Sequence, residues 1–309
     1  MLEAILKLPL ESEIFIDGMT LIAVVDSLPQ GQEIELEADS NVLNYSAGSA
    51  RGRLALLAID GMRSVPRVRE EGWEPGTSFI RALELGAMSC DSEALATIGM
   101  YGIAIDRRKK VGIVRSTDNI TISSCEFDSS KFKSGPELMV IVPDAANLLS
   151  TVMAPQGKMV ITGNGIHYQD ACLRCFVGPT DDLRMDLAAI RDPLPAPKTL
   201  VSVPRERVMA FAKRAAALAE NKRGVVVQLS TSEGRLVLGF EEGSAQAEEF
   251  YLIDEVKVPD LEPIKLDGQK LARALQHVTE VALDYMSEKD MLMFRAKEPP
   301  FEYLIMGKR

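Results

Sequence analysis

Ile264-Lys-Leu-Asp-Gly-Gln-Lys-Leu-Ala-Arg-Ala-Leu-Gln-His-Val278 begins as an extended apolar stretch and turns, after Asp267, into a helix-period pattern. Leu271, Ala274, Leu275 and Val278 then share one side of a helix, and Lys270, Arg273 and His277 another. The same change of period occurs in Ile14-Phe-Ile-Asp-Gly-Met-Thr-Leu-Ile-Ala-Val-Val-Asp-Ser-Leu28 and in Val140-Ile-Val-Pro-Asp-Ala-Ala-Asn-Leu-Leu-Ser-Thr-Val152. Each carries an Asp just ahead of its periodic part (Asp17, Asp144, Asp267), where a carboxylate can accept from the free amides of a helix start.

Strand-like runs follow each of these helices. They are Glu33–Ala38, Val42–Ser46 and Arg53–Ala58 after the first, and Lys158–Thr162, Ile166–Asp170 and Cys172–Val177 after the second. Gly163-Asn164-Gly165 supplies a hairpin turn within the second set. The third helix precedes Val281–Met286, Met291–Arg295 and Phe301–Met306. The three Asp residues are 127 and 123 residues apart, a domain-sized period far longer than a solenoid's.

Two related segments lie between. A helix over Thr77–Ser89 precedes runs at Thr97–Asp106, Val111–Thr117 and Thr121–Phe127, and a helix over Pro204–Ala219 precedes Val225–Thr231, Arg235–Glu241 and Glu248–Ile253. The chain therefore reads as five helix-plus-strand halves: two complete pairs preceded by one unpaired half. Val65–Pro75 and the proline-rich Arg191–Lys198 separate three units, 1–66, 77–190 and 200–309. The expected fold class is α+β.

Composition narrows the function. The 309 residues are 46% hydrophobic and 26% charged, as in a soluble globular protein rather than a disordered or fibrous one. No apolar run approaches the roughly 18–20 residues that span a bilayer, and Glu3 with no basic start argues against a secretory signal. Four cysteines in a chain of this length suggest reduced thiols in a cytosol. A net charge of −10 argues against coating nucleic acid with the whole surface, but not against a local basic lining. Two histidines leave little for His-based catalysis or a His-rich metal site.

A helix plus strands, doubled within a domain and repeated across domains, is the plan of DNA sliding clamps. Over nearly its whole length the sequence resembles the bacterial replicative polymerase's beta clamp family. Leu28-Pro29 with Glu33–Leu36 and Gly48–Leu57 resembles the end of that family's first domain. Gly99-Met-Tyr-Gly-Ile-Ala-Ile105 and Val114-Arg-Ser-Thr-Asp118 resemble its second domain. Arg214-Ala-Ala-Ala-Leu-Ala-Glu-Asn-Lys-Arg-Gly-Val225 and Tyr303-Leu-Ile-Met-Gly-Lys-Arg309 resemble its third. Two departures stand out. Roughly the first half of the first domain is missing except for a strand-like Ala4–Leu10, and the family's His-Arg motif after Thr-Asp-Gly is replaced by Asn119-Ile120-Thr121-Ile122.

The resemblance implies a non-enzymatic ring of head-to-tail protomers, most simply a dimer, with helices inside, sheets outside and no cofactor. It implies duplex DNA in the hole, held by weak phosphate contacts without sequence readout. A polymerase and other proteins carrying a clamp-binding motif, and a separate clamp loader, are the implied partners, in a bacterial or host cytosol. Lumen candidates are Arg81, Arg205, Arg207, Lys213, Arg214, Lys222, Arg223, Lys270 and Arg273; the alternative is a solvated face, and Lys222 and Arg223 also suit a helix C-terminus. Positions matching the family's peptide groove are Met100, Thr117, Ile120, Thr121, Ile122, Pro193, Leu200, Leu304, Met306, Lys308 and Arg309. The alternative for Leu304 and Met306 is simple alternation into a core. A clamp-like protein that binds peptides without closing on DNA is the competing function.

Other signals are weaker. Cys172-Leu-Arg-Cys175 near His167 suggests zinc, but residues three apart on a strand point to opposite faces. Arg107-Arg-Lys-Lys110 reads as a solvated hairpin tip, and Asp118, Asp181 and Asp182 as turn residues rather than a nuclease's metal ligands. Neither GxxxxGK[ST] nor GxGxxG occurs, so nucleotide binding has no support.

Overall fold

A computed structural model describes residues 2–4, 16, 18–28, 33–39, 41–56, 72–90, 98–130, 132, 135–171, 173–203, 205–219, 225–242, 244–252, 260–285 and 291–307. A short strand, β1 (Leu2–Ala4), precedes α1 (Gly18–Ser27), β2 (Glu35–Asp39), β3 (Val42–Ala47) and β4 (Ala50–Ala55). Helix α2 (Gly76–Gly86) is followed by β5 (Ile103–Asp106), β6 (Gly112–Thr117) and β7 (Thr121–Phe127). Strand β8 (Leu138–Ile141) leads into α3 (Pro143–Val152), then β9 (Lys158–Thr162), β10 (Gly165–Gln169) and β11 (Leu173–Val177). After α4 (Leu187–Arg191) and β12 (Leu200–Ser202) come α5 (Arg205–Leu218), β13 (Val226–Ser232), β14 (Arg235–Glu242) and β15 (Ala245–Leu252). Strand β16 (Leu261–Asp267) runs into α6 (Gly268–Leu275), β17 (Glu280–Ala282), β18 (Met291–Ala296) and β19 (Phe301–Met306). The five-fold recurrence of helix and antiparallel three-strand meander is the repeat read from the sequence.

By contact the chain divides into two compact units, residues 1–74 with 156–178 and residues 75–155 with 179–309. The first holds the meander β2-β3-β4 and a four-stranded sheet of order β1-β11-β10-β9. Met159, Ile161, Ile166, Tyr168, Cys175 and Val177 are its buried hydrophobic residues on β9 to β11. The Tyr45 ring lies across Gly52, so that a Cβ there would displace it. Trp73, which had no role in the sequence reading, bridges β9 through both backbone bonds to Met159.

The second unit holds the order β15-β14-β13-β16 and an eight-stranded sheet of order β12-β17-β18-β19-β7-β6-β5-β8. The larger sheet is two meanders joined edge to edge by antiparallel β19 and β7, from Phe301↔Cys125 to Ile305↔Thr121. Helix α2 packs on β7 and β6, and Gly86 lets it approach so closely that a Cβ would sit 2.6 Å from Val114. Phe79, Phe127 and Phe132 cluster beneath it, the first two edge to face at 5.0 Å. Helices α2 and α3 pack together, as do α5 and α6.

Several expectations need correction. Asp267 caps α6, accepting from the amides of Gln269 and Lys270, but Asp144 lies inside the first turn of α3 and the N-cap is Val142. Pro143 takes the helix start there because its missing N–H would have been unpaired anyway. Asp17 lies outside the described residues. Of the expected run Thr97–Asp106, Thr97 lies outside the described residues, and among the rest only Ile103–Asp106 form a strand, Gly99 taking a left-handed φ of 72° ahead of it. Arg191–Lys198 is not a free spacer: its Asp192 accepts from Arg115 at 2.8 Å and its Lys198 amide donates to Asp284 at 2.8 Å. Helix α4, capped by Asp186, was not foreseen.

Candidate functional site

Alternation along a strand gives the eight-stranded sheet two chemically different faces. On β7, Ser123 donates to the Gly86 carbonyl at the end of α2, so Thr121, Ser123, Cys125 and Phe127 face the helices. Ile122, Ser124 and Glu126 face the other way. The β19 register carries this over, placing Glu302, Leu304 and Met306 opposite the helices with Ile122.

The helix face carries the candidate DNA cations. Arg205, Arg207, Lys213 and Arg214 are exposed on α5. Arg214 pairs with Glu249 of β15, whereas Arg205, Arg207 and Lys213 carry no ion pair among the described residues. The cations of α6 are committed elsewhere. Lys270 donates to Asp118, and Arg273 donates to the Met88 carbonyl at 2.9 Å. Arg81 on α2 pairs with Glu84 at 2.5 Å and lies 3.2 Å from Nδ1 of His277. These contacts stitch the α6 half to the α2 half. Burial, and then the positive charge of Arg81, push the His277 pKa down, with Glu84 opposing and Arg205 adding a smaller push in the same direction as Arg81. Lys222 and Arg223 lie outside the described residues.

On the opposite face Leu304 is buried at 4% exposure with Ala282, Tyr285 and Met293, and Ile122, Leu194, Leu200 and Met291 pack at the margin. Met306 lies beside them but is 50% exposed, and its amide donates to the Ile120 carbonyl at 2.8 Å. Leu304 is thus a core residue and Met306 a surface one; neither alternative in the sequence covered both. The exposed Pro193 precedes the packed Leu194.

Thr117 and Thr121 are buried in the β6–β7 turn with their hydroxyls spent. Thr117 donates to the Thr121 carbonyl at 2.8 Å, and Thr121 contacts Asp118 and Ser89 at 2.8 and 2.9 Å. Asp118 organises this turn, accepting from the Ile120 and Thr121 amides at 3.0 and 2.7 Å. Met100 bridges to Leu183 instead of joining the Leu304 cluster. Lys308 and Arg309 lie outside the described residues.

The basic tip Arg107–Lys110 is a turn between β5 and β6 but not simply solvated. Arg107 lies 4.9 Å over the Phe132 ring, Arg108 bridges Asp106 and Asp186, and Lys109 reaches Asp192 at 2.7 Å. Hydrogen bonding from Arg108 holds the Asp186 carboxyl at about 2. Sequence reasoning missed Asp106, Arg115 and Asp192; only the mixture of buried strand and charge at Arg115 hinted at such a network. Among the described residues no three His, Cys, Asp or Glu side chains gather as metal ligands. No helix of the described residues is long and apolar enough to cross a membrane.

Paired helices over antiparallel sheets, repeated along one chain and joined by a shared sheet, define the fold of the DNA sliding clamps. Solved structures of DNA polymerase III beta subunits share it. The Pseudomonas aeruginosa sliding clamp bound to griselimycin aligns at TM-score 0.72 and 17% identity, covering 97% of this chain and 84% of that one. The Caulobacter crescentus beta subunit aligns at TM-score 0.70 and 15% identity over 98% and 84%. The Streptococcus pyogenes beta subunit aligns at 0.70 and 14% over 96% and 81%. No protein-family model and no curated protein matches the sequence. At these identities the likeness is one of fold.

Proposed function

We propose that the protein is a DNA sliding clamp, a non-enzymatic processivity factor that encircles duplex DNA and tethers a polymerase. The observation that carries the reading is the beta-clamp fold over almost the whole chain. In this reading residues 1–66, 77–190 and 200–309 are successive clamp domains, and copies of the chain associate into a ring, most simply a dimer, that a separate loader opens in the cytosol. Exposed Arg205, Arg207 and Lys213 on α5 supply phosphate contacts, whose salt sensitivity suits sliding. The apolar margin of Ile122, Leu200 and Met306 receives a short segment of the polymerase or another partner. Polarisable Met suits such an adaptable surface, and the altered Asn119–Ile122 stretch shifts the peptide preference.

One observation favours a second reading, a clamp-like protein that binds peptides without closing on DNA: Lys270 and Arg273 are consumed by internal contacts, which thins the basic lining. Topology separates the two. A clamp stays on a nicked circular plasmid through gel filtration and slides off after linearisation. Equal retention on both forms, or on neither, contradicts encirclement.

A further inference from the structure

The sheet face opposite α2 and α6 changes character along its length. Ile122 and Leu304 lie at its apolar end, and one strand repeat away Ser124 and Glu302 begin a polar end. There a cavity of about 410 Å³ opens, with Arg115 and Ser124 in its wall. Two polar atoms of these wall residues, Arg115 Nε and Ser124 Oγ, are buried without a hydrogen-bond partner among the described residues. Both residues are deeply buried, at 3% and 8% exposure. They sit directly opposite one another in the β6–β7 ladder, so both side chains leave the same face of the sheet. Buried polar groups are nearly always satisfied, so two orphans in one cavity point to an occupant.

The donor pattern limits what that occupant is. The Arg115 guanidinium spends one terminal nitrogen on Asp106 at 3.4 Å and the other on Asp192 at 2.8 Å. Its Nε–H is left and can only donate. The Ser124 hydroxyl supplies a second donor. A single oxygen accepting from both completes the pair. With Asp106 counted beside the lining residues, the site carries five cationic side chains against four carboxylates, a local excess in a chain whose net charge is −10. We propose that this cavity binds a small oxyanion group, a carboxylate or a phosphate, through Arg115 Nε and Ser124 Oγ. Lys110 lines the cavity and adds to its positive field, while Arg295 is paired with Glu302 at 3.3 Å. The oxyanion comes either from solution as a free ion or from an acidic side chain of a bound polypeptide.

The full chain is titrated with inorganic phosphate and, separately, with N-acetyl-triglutamate. Thermal stabilisation and the Arg115 Nε–H resonance are followed together. Saturable binding with a shifted resonance is expected from at least one probe; phosphate alone identifies a free ion, and the peptide as the tighter binder identifies a polypeptide carboxylate. Ser124→Ala, which removes a hydroxyl without partners and leaves the ion pairs intact, should weaken binding about fivefold or more. Lys110→Ala should weaken it to a smaller extent. Met306→Ala should leave it unchanged, which separates this site from the apolar end and from the clamp reading. If neither probe saturates, or if Ser124→Ala binds as the native chain does, the proposal is overturned.

Discussion

Lys270→Met makes a sharp test of how the second unit is held together. Asp118 is almost fully buried, and Lys270, with 19% of its side chain exposed, is its counter-ion. Removing one partner of a buried pair costs about 3–5 kcal/mol because the other charge is left uncompensated. Asp118 keeps the Ile120 and Thr121 amides and the Thr121 hydroxyl, so the cost here falls lower, at about 2–3 kcal/mol. For a unit of this size that lowers Tm by roughly 5–10 °C. The readout should be calorimetry or far-ultraviolet circular dichroism. Trp73, the single tryptophan, belongs to the first unit and its fluorescence could miss the change. In an Asp118→Asn background the same Lys270→Met change should cost less than about 1 kcal/mol, since no buried charge remains. If Lys270→Met in the native background unfolds within about 0.5 kcal/mol of the native chain, the pair contributes nothing and Lys270 is available to DNA after all.

Leu304→Ala should cost about 2–5 kcal/mol in urea unfolding, as expected for a buried Leu, whereas Met306→Ala should stay within about 0.5 kcal/mol yet lose affinity for a clamp-binding peptide. Unchanged peptide affinity in Met306→Ala would remove that residue from the groove. The His277 imidazole should titrate below its ordinary value of about 6.5 by NMR. With the folded pKa depressed, the unfolded chain binds the proton first, so stability is full above about pH 6.5 and falls as pH drops toward the folded pKa. His277→Gln should remove that part of the slope, leaving the share due to His167, whose pKa is also lowered by burial. Replacing Arg207 and Lys213 by Ala should weaken DNA binding and reduce its log–log salt slope by about two; an unchanged slope would place DNA elsewhere.

The repeat was legible because period is a local property. The switch from alternation to helical spacing at Val140–Val152 and Ile264–Val278 is written in consecutive residues, and both segments fold as a strand running into a helix. Asp267 was readable as a cap for the same reason. What failed was long range. Lys270 and Arg273 look like free cations on a helix stripe, and only the fold brings Asp118 and the Met88 carbonyl to them from more than 150 residues away. Leu304 and Met306 have the same parity on β19, yet one lies under Tyr285 and Met293 and the other beyond that cover. Thr117 and Thr121 match groove positions in sequence, but the Asp118 turn draws their hydroxyls inward. The Arg115 network joins β6 to Asp192 across 77 residues, a contact no local pattern encodes.

Electron cryomicroscopy of the protein with a short duplex addresses encirclement most directly. The account predicts closed rings with the duplex running through the opening and α5 turned toward it, Arg207 and Lys213 nearest the phosphates. Particles without an opening, or a duplex lying along the sheet side of the protein, would contradict it.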